Sequence, residues 1–364
     1  MRHASLLAVL VFFAIAPGVA AAQSVQGPFD PAARHALATR LPAPKSTPSA
    51  CGEPPAPVVR LAMEGFYADH SSSIVDPGRM SAYHDAAKPI EIFESGIARA
   101  SDRYVRAGDR DSARCALAWM ARWAESGAML DAATSQGGYV RKWGLAPVAA
   151  ATLKIRAANV DPVALGRVRE WVRRWAGLVR DEYEARPTLS SHRNNHLYWA
   201  AWSVGLASTV LDDRALLDWS IAKLRVGIDQ IDGRGFLPLE VARKGRALHY
   251  HVFAVAPLVL GAELAAVNGI DLYADRDGAL HRLVAATVAG LADPTPFAEA
   301  AGATQETKGL INGGDLGWLE AYVARFPERA VSKTAAAYLK RVRPAFNRWY
   351  GGDATLLYGA EVLP

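Results

Sequence analysis

The chain has 364 residues, of which 51% are hydrophobic and 21% are charged. This composition excludes a disordered or collagen-like chain, and two cysteines exclude a disulfide-dense scaffold and, on their own, a zinc site with four cysteine ligands. The net charge of +5 is mildly basic and suits an anionic partner without identifying it.

Residues 1–22 have the pattern of a secretory signal peptide. Arg2 precedes an apolar run, and small residues up to Ala22 offer a cleavage site. The run is broken by Pro17 and is shorter than the roughly 20 residues of a membrane span, which favours export with cleavage over a membrane anchor. We therefore expect an exported mature chain, residues 23–364, that has no membrane segment.

Export changes the interpretation of Cys51 and Cys115. Two lone cysteines in an oxidising compartment favour a disulfide, which would join the Pro-rich N-terminal segment to a helix. The alternative is two free, buried thiols.

An irregular insert is expected at residues 64–88, where Ser, Asp, Gly and Pro are mixed with Tyr67, Tyr83 and Arg79. A long insert of this kind in a helical domain is either a functional lid or a mobile surface loop.

Helices dominate the remainder, because apolar residues recur at spacings of three and four and the breaks carry Gly, Pro and Asp. We find no convincing strand pattern. The predicted helices are roughly 89–107, 110–127, 145–158, 161–184, 195–211, 213–230, 249–268, 276–291, 312–326 and 332–346.

These helices form about five successive hairpins, and residues 197–211 are apolar on nearly every face. Such a helix must be surrounded by protein, as an inner helix of a double-layered α/α toroid is. We therefore predict an all-α fold in which the mature chain is one toroid domain.

Three clusters are candidates for chemistry. In residues 136–145, Tyr139 and Trp143 alternate with Arg141 and Lys142, which suits an acidic polysaccharide. A nucleic acid could use the same side chains, but export argues against it, and a helix start with a buried Trp is the structural alternative.

The second cluster is residues 190–203. Asn194 and Asn195 are capping residue types just before the apolar helix, so Asn195 and His196 lie where free N–H groups favour an anion. His192 and His196 are four residues apart, as in a zinc pair, but no third ligand follows, and we expect no metal. A plain cap and a buried histidine are the alternative.

The third cluster is residues 240–260, where Arg243, Lys244 and Arg246 precede an apolar helix. Tyr250 is seven residues after Arg243, close to two helical turns, so both can share a face if the helix starts before Gly245, a residue that opposes such a start. The alternative is a solvated basic turn with Tyr250 in the core.

Taken together, the run from Asn194 to Ser203 and the later run from Arg246 to His251 resemble the alginate lyases of polysaccharide lyase family 5. The resemblance covers most of the mature chain. It implies an incomplete α/α toroid in the periplasm of a Gram-negative bacterium, with residues 64–88 as a mobile lid, a disulfide between Cys51 and Cys115, and no cofactor.

The resemblance also implies roles for particular residues. Asn195, His196, Arg243 and Tyr250 match the family's catalytic residues by type, and Gln136, Lys142 and Trp143 resemble positions in its substrate cleft. We add Asn194, Tyr198 and Arg246 as expected substrate contacts. The implied activity is β-elimination in poly(β-D-mannuronate) by a monomer.

The chemistry of this reaction agrees with those residue types. A base must remove the C5 proton while cations and donors neutralise the adjacent carboxylate, which suits Asn195, His196 and Arg243. Tyr250 suits the base and acid, provided that Arg243 lowers the pKa of the phenol from its usual 10. His196 is the second candidate for the base.

Other functions remain open at this point. A glycoside hydrolase would need two opposed carboxylates, and Asp131, Glu182 and Glu240 are available but nothing pairs them. A lyase for another polyuronate, such as polyglucuronate, and a non-catalytic polyuronate-binding protein are further alternatives.

Overall fold

The computed structural model describes residues 24–40 and 51–361, so the expected signal peptide, residues 1–22, lies outside the described residues. Within those ranges nearly all of the regular secondary structure is helical. The α-helices are α1 (Pro31–Ala38), α2 (Pro77–Ala107), α3 (Arg110–Glu125), α4 (Ser135–Ile155), α5 (Pro162–Ala185), α6 (Asn195–Leu211), α7 (Arg214–Asp229), α8 (Pro238–Val241), α9 (Ala247–Val267), α10 (Asp275–Ala292), α11 (Thr295–Ala301), α12 (Gly313–Leu316), α13 (Leu319–Arg325), α14 (Ala330–Val342) and α15 (Ala354–Tyr358).

Helices α4, α6 and α9 form the inner layer, since nearly every residue of each is buried. Helix α2 packs against α4, α4 against α6, and α6 against α9. The amphipathic helices α3, α5, α7 and α10 pack outside this row. Each inner helix and the outer helix that follows it make a hairpin. This arrangement confirms the predicted α/α toroid, and the complete burial of α6 is the feature that the sequence had indicated.

One contiguous apolar core runs through both layers, from Val25 to Tyr358. Among the described residues, one helical stretch, Lys244–Val267, is long and apolar enough to cross a membrane by length and composition, but most of it is buried inside the protein. A core helix of a two-layered fold meets the same criteria.

Two helices begin well before their predicted starts. Helix α2 begins at Pro77, because the Asp76 carboxylate accepts the Arg79 N–H at 2.9 Å and proline suits the first helical position. Pro89, which we had read as the start, lies inside the helix. The expected insert at 64–88 is therefore irregular only as far as residue 76.

Helix α4 begins at Ser135 and not near residue 145, because the Thr134 side chain accepts the Gly137 N–H at 3.1 Å. The two glycines that predict a break are needed for close packing. A Cβ at Gly137 would lie 2.1 Å from the carbonyl oxygen of Leu61, and one at Gly138 would lie 2.5 Å from a carboxylate oxygen of Glu182.

The C-terminal region is more broken than predicted. The expected helix 312–326 is divided between α12 and α13, and α14 ends at Val342, just before Pro344. Beyond it, the short strands β1 (Phe346–Asn347) and β2 (Gly352–Asp353) pair antiparallel.

The expected disulfide is present. Cys51 and Cys115, 64 residues apart, are bonded, with their Cα atoms 5.4 Å apart. The bond attaches the segment before Leu61 to α3, as predicted from the two lone cysteines.

Candidate active site

A cleft of about 950 Å³ opens where the first turns of α4, α6 and α9 meet the segment from Met63 to Ser72. The residues that line it include many aromatic and ionisable side chains. The aromatic side chains are Phe66, Tyr67, Tyr83, Tyr139, Trp143, Tyr250, Phe253 and Trp349, and the ionisable ones are Glu64, Asp69, His70, Arg79, His84, Glu91, His196, Arg243, Arg246 and His249.

The segment from Met63 to Val75 is folded back on itself beside this cleft. Tyr67 pairs with Val75 in an isolated bridge, and the Asp69 carboxylate accepts the N–H groups of Ser73 and Ile74 at 2.9 and 2.7 Å. The hydroxyl of Tyr67 makes a short hydrogen bond with that of Tyr250. Tyr67 is therefore the residue of this segment that contacts the candidate catalytic tyrosine. The family resemblance did not identify this residue.

At the start of α6, Asn194 is the cap, and its side-chain oxygen accepts the His196 N–H at 3.1 Å. The His196 ring stacks on Tyr139, with ring centroids 3.8 Å apart and planes 13° apart. Its Nδ1 lies 3.0 Å from the Lys142 Nζ. Burial, together with the positive charges of Lys142 and Arg243, lowers the pKa of His196 well below its usual value, so the imidazole is neutral.

Asn195 is completely buried and is held by Glu240, which is buried too. The Glu240 carboxylate accepts the Asn195 backbone N–H at 2.8 Å and the Nδ2 amide at 3.0 Å from each oxygen. Burial raises the pKa of Glu240, while the Asn195 hydrogen bonds and the charge of Arg243 oppose this rise. The Asn195 Oδ1 has no hydrogen-bond partner within the described ranges.

Arg243 and Tyr250 lie together, but α9 begins only at Ala247, so Arg243 reaches the ring from the preceding turn and not by helical spacing. The Arg243 guanidinium carbon lies 3.8 Å from the centre of the Tyr250 ring, and that of Arg246 lies 5.7 Å from it. Arg246 also donates to the His249 Nε2 at 3.1 Å. Burial and the two arginines lower the pKa of His249 to about 4.

One electrostatic expectation is wrong in the ligand-free cleft. Arg243 does act to lower the pKa of Tyr250, but burial raises it by more, and the contact with Tyr67 raises it further. Tyr250 is therefore a neutral phenol, not a phenolate, before substrate enters.

The cleft brings together Gln136, Trp143, Asn194 and Arg246 from the expected contacts, as well as His196, Arg243 and Tyr250 from the expected catalytic set. Asn195 lies directly behind this surface, between His196 and Glu240.

Four other side chains that we had assigned to the cleft do not line it. Lys142 is completely buried behind His196, and Tyr198 is completely buried, with its hydroxyl donating to the Arg193 carbonyl at 3.3 Å. Arg141 donates to the Met129 carbonyl at 3.0 Å and to the Asp131 carbonyl. Lys244 is exposed and is not among the residues that line the cleft.

The carboxylates considered for a hydrolase also lie elsewhere. Glu182 is 3.7 Å from the Arg141 guanidinium, and neither it, Asp131 nor Glu240 lines the cleft. Over residues 24–40 and 51–361, no group of three or more His, Cys, Asp and Glu side chains is placed to hold a metal ion. His192 stacks on Tyr183, 4.4 Å between centroids, and makes no pair with His196.

Several site residues were missed from the sequence. Phe253 follows Tyr250 by three residues on α9, so helical spacing could have found it. Trp349 and Glu91 reach the cleft from distant parts of the chain, and no local pattern marks them.

Comparison with known proteins identifies the family. The family model described as alginate lyase matches residues 61–297. A polysaccharide lyase of Stenotrophomonas maltophilia is 37% identical over 328 residues, covering 89% of this chain and 95% of its own length. An alginate lyase of Azotobacter vinelandii is 34% identical over 315 residues, covering 84% and 82%.

Solved structures give the same result. Alginate lyase A1-III of Sphingomonas species A1 superposes with a TM-score of 0.78 at 26% identity, covering 92% of this chain and 97% of its own. A histidine-to-alanine variant of alginate lyase A1-III, complexed with a tetrasaccharide, gives a TM-score of 0.80 at 25% identity, covering 93% and 97%. The chain therefore belongs to the alginate lyase family.

Proposed function

We propose that this alginate lyase is a periplasmic enzyme that prefers poly(β-D-mannuronate) and uses Tyr250 as both base and acid. In the reaction, the C5–H bond and the bond from C4 to the glycosidic oxygen break, and a C4=C5 double bond forms. The C5 proton and the proton that the leaving oxygen gains must both pass through groups in the cleft. The observation that carries the proposal is the Tyr250 ring lying 3.8 Å below the Arg243 guanidinium in that cleft.

Neutralisation of the substrate carboxylate falls to Arg243, His196 and Asn195. Arg243 carries a fixed positive charge, and its Nε is buried without a hydrogen-bond partner in the part of the chain that the structure describes. His196 faces the cleft as a neutral ring. The Asn195 Nδ2 lies 3.0 Å from both Glu240 oxygens behind the cleft, so Asn195 reaches the carboxylate by turning one of its two N–H groups away from Glu240.

A neutral Tyr250 can perform both proton transfers without first becoming a phenolate. As the leaving oxygen takes the hydroxyl proton of Tyr250, the phenolic oxygen takes the C5 proton, and the tyrosine ends the step as it began. This concerted exchange is consistent with a pKa that burial raises. The Tyr67 hydroxyl, which bonds to that of Tyr250, orients the acceptor lone pair.

The stereochemistry favours mannuronate. In mannuronate the C5 hydrogen and the C4 oxygen lie on the same face of the ring, so one group can serve both. In guluronate they lie on opposite faces, and a second group such as His196 would be required.

Polyglucuronate is the second candidate substrate. Glucuronate has the same relation between C4 and C5 as mannuronate, so the same tyrosine could act on it. The relative from Stenotrophomonas maltophilia is named polysaccharide lyase, a name that does not specify alginate as the substrate.

A periplasmic location is supported by the signal-peptide pattern of residues 1–22 and by the Cys51–Cys115 disulfide, which needs an oxidising compartment. Cell fractionation with N-terminal sequencing of the purified protein tests it. A chain that begins near residue 23 in the periplasmic fraction is expected, and a full-length cytoplasmic chain would overturn it.

The role of Tyr250 is tested with Tyr250→Phe, which removes one oxygen and leaves the ring below Arg243. We expect a loss of turnover of at least about 100-fold, the lower end of general acid–base catalysis, with binding of polymannuronate retained. Tyr358→Phe is the matched control, since the Tyr358 hydroxyl is buried and donates to the Tyr350 carbonyl at 2.9 Å, and Tyr358 does not line the cleft. Normal turnover by Tyr250→Phe would remove this residue from the mechanism.

A further inference from the structure

Lys142 is a fully buried lysine whose surroundings accept hydrogen bonds or attract positive charge. Its Nζ lies 3.0 Å from the His196 Nδ1 and 3.3 Å from the Tyr139 carbonyl oxygen. It also lies 4.4 Å from the centre of the Tyr139 ring and 4.0 Å from that of Trp143.

The direction of the hydrogen bond between Lys142 and His196 follows from these neighbours. Burial lowers the pKa of Lys142, but the carbonyl oxygen and the two aromatic faces all stabilise its ammonium form, which has three N–H donors and no lone pair. The Nδ1 of His196 must then supply a lone pair. A neutral imidazole whose Nδ1 is unprotonated carries its proton on Nε2.

We propose that Lys142 is a positioning residue that fixes His196 as the Nε2–H tautomer, which makes His196 a hydrogen-bond donor to the substrate carboxylate and not a base. The inference rests on the proposed function, because it assigns the role of His196 within that reaction. It also revises our reading of Lys142, which acts through His196 and does not contact the polymer.

The charges around His196 favour the same assignment. Burial first, and then Lys142 on α4, Arg243 before α9 and His192 before α6, act against protonation of the ring. Burial also lowers the pKa of Lys142, while Glu182 on α5 opposes this and favours its charged form. Since a second positive charge 3.0 Å from Lys142 is disfavoured, the ring stays neutral and keeps its single proton on Nε2.

The direct test is nitrogen NMR of the wild-type enzyme labelled with ¹⁵N in its histidines, in which His196→Gln identifies the signals of His196. We expect a protonated Nε2 and an unprotonated Nδ1 at neutral pH. A proton on Nδ1, or a doubly protonated ring, would overturn the inference. This measurement needs no variant at Lys142 to fold.

A second test uses Lys142→Met, with Lys154→Met as the matched control. Lys154 is a fully buried lysine on the same helix, but its Nζ bonds to Asp102 at 2.7 Å and lies outside the cleft. In Lys142→Met we expect a mixture of tautomers, a higher pKa for His196, and a kcat/KM that falls by roughly 10-fold to 100-fold, as for the loss of a hydrogen bond to a charged group.

Lys154→Met should destabilise the protein and leave the His196 tautomer and kcat/KM as in the wild type. A Lys142→Met enzyme whose tautomer is unchanged, whatever its activity, would overturn the inference. Failure of the proposed function looks different: wild-type protein would then form no unsaturated product from any polyuronate, while the NMR result would stand unchanged.

Discussion

Glu240 offers a sharp test of how the cleft is built, because its carboxylate holds Asn195 from behind. The perturbation is Glu240→Gln, which keeps the shape of the side chain. One accepting oxygen is replaced by an NH₂ group, which then faces the donor Nδ2 of Asn195. At least one of the three contacts, at 2.8, 3.0 and 3.0 Å, must be lost.

The magnitude follows from the chemistry of that contact. A hydrogen bond to a charged group contributes about 1.5–3 kcal/mol, and about 1.4 kcal/mol corresponds to a factor of ten in rate. If Asn195 loses its alignment, kcat/KM on polymannuronate should fall by roughly 10-fold to 150-fold.

The stability of Glu240→Gln should change less at neutral pH than in acid. Burial raises the pKa of Glu240, so the folded state resists its ionisation, and wild-type stability falls as the pH rises from the usual carboxyl range through the raised value. Glutamine does not titrate and escapes this penalty. Its destabilisation relative to wild type therefore shrinks as the pH increases.

The assay is the initial rate at which absorbance from the new double bond increases. The free energy of unfolding is measured in parallel by urea denaturation. Glu320→Gln is the control, since Glu320 is buried and accepts hydrogen bonds from Arg343 and Thr355 outside the cleft. It should lose stability and keep its kcat/KM. A Glu240→Gln enzyme with wild-type kcat/KM, or an equal loss of kcat/KM in the control, would refute this reasoning.

Three further predictions concern stability. Burial lowers the pKa of His251 to about 4, so its contribution to stability is lost as the pH falls from 6.5 to 4, by about 3 kcal/mol, and urea unfolding of His251→Gln should show a weaker pH dependence. Lys154→Met leaves the buried Asp102 carboxylate without its ion-pair partner and should cost about 3–5 kcal/mol in urea unfolding; a cost below 1 kcal/mol would contradict the buried pair. Replacing Cys51 and Cys115 by serine opens a link across 64 residues and should cost about 4 kcal/mol, whereas unchanged unfolding would show that the disulfide does not constrain the unfolded chain.

The sequence predicts the architecture well because the inner helices are marked by their own composition. Residues 197–211 are apolar on every face, and only a helix enclosed by other helices can bury them all. The predicted starts of α2 and α4 were wrong, because each helix continues through residues that usually interrupt a helix, Pro89 in α2 and the Gly137–Gly138 pair in α4. Their cost is outweighed by a good cap and by close packing on Leu61, neither of which is visible in a local pattern.

For the site, the sequence identifies residue types better than their environments. Arg243 and Tyr250 meet because a turn before α9, in which Lys244 has a positive φ, folds Arg243 onto the ring, and helical spacing does not bring them together. The pairs Lys142–His196, Asn195–Glu240 and Tyr67–Tyr250 join residues 54, 45 and 183 positions apart, and only the folded chain brings them into contact. For the same reason the burial that governs the pKa of Tyr250 could not be read from its neighbours in sequence.

The central claim is elimination by a single tyrosine on a uronate whose C5 hydrogen and C4 oxygen share a face. The most direct measurement is the initial rate of double-bond absorbance for the mature enzyme on polymannuronate and, at equal concentration, on polyguluronate. We predict a rapid rise with polymannuronate and a much slower one with polyguluronate. A faster rise with polyguluronate, or new reducing ends without any absorbance, would contradict the account.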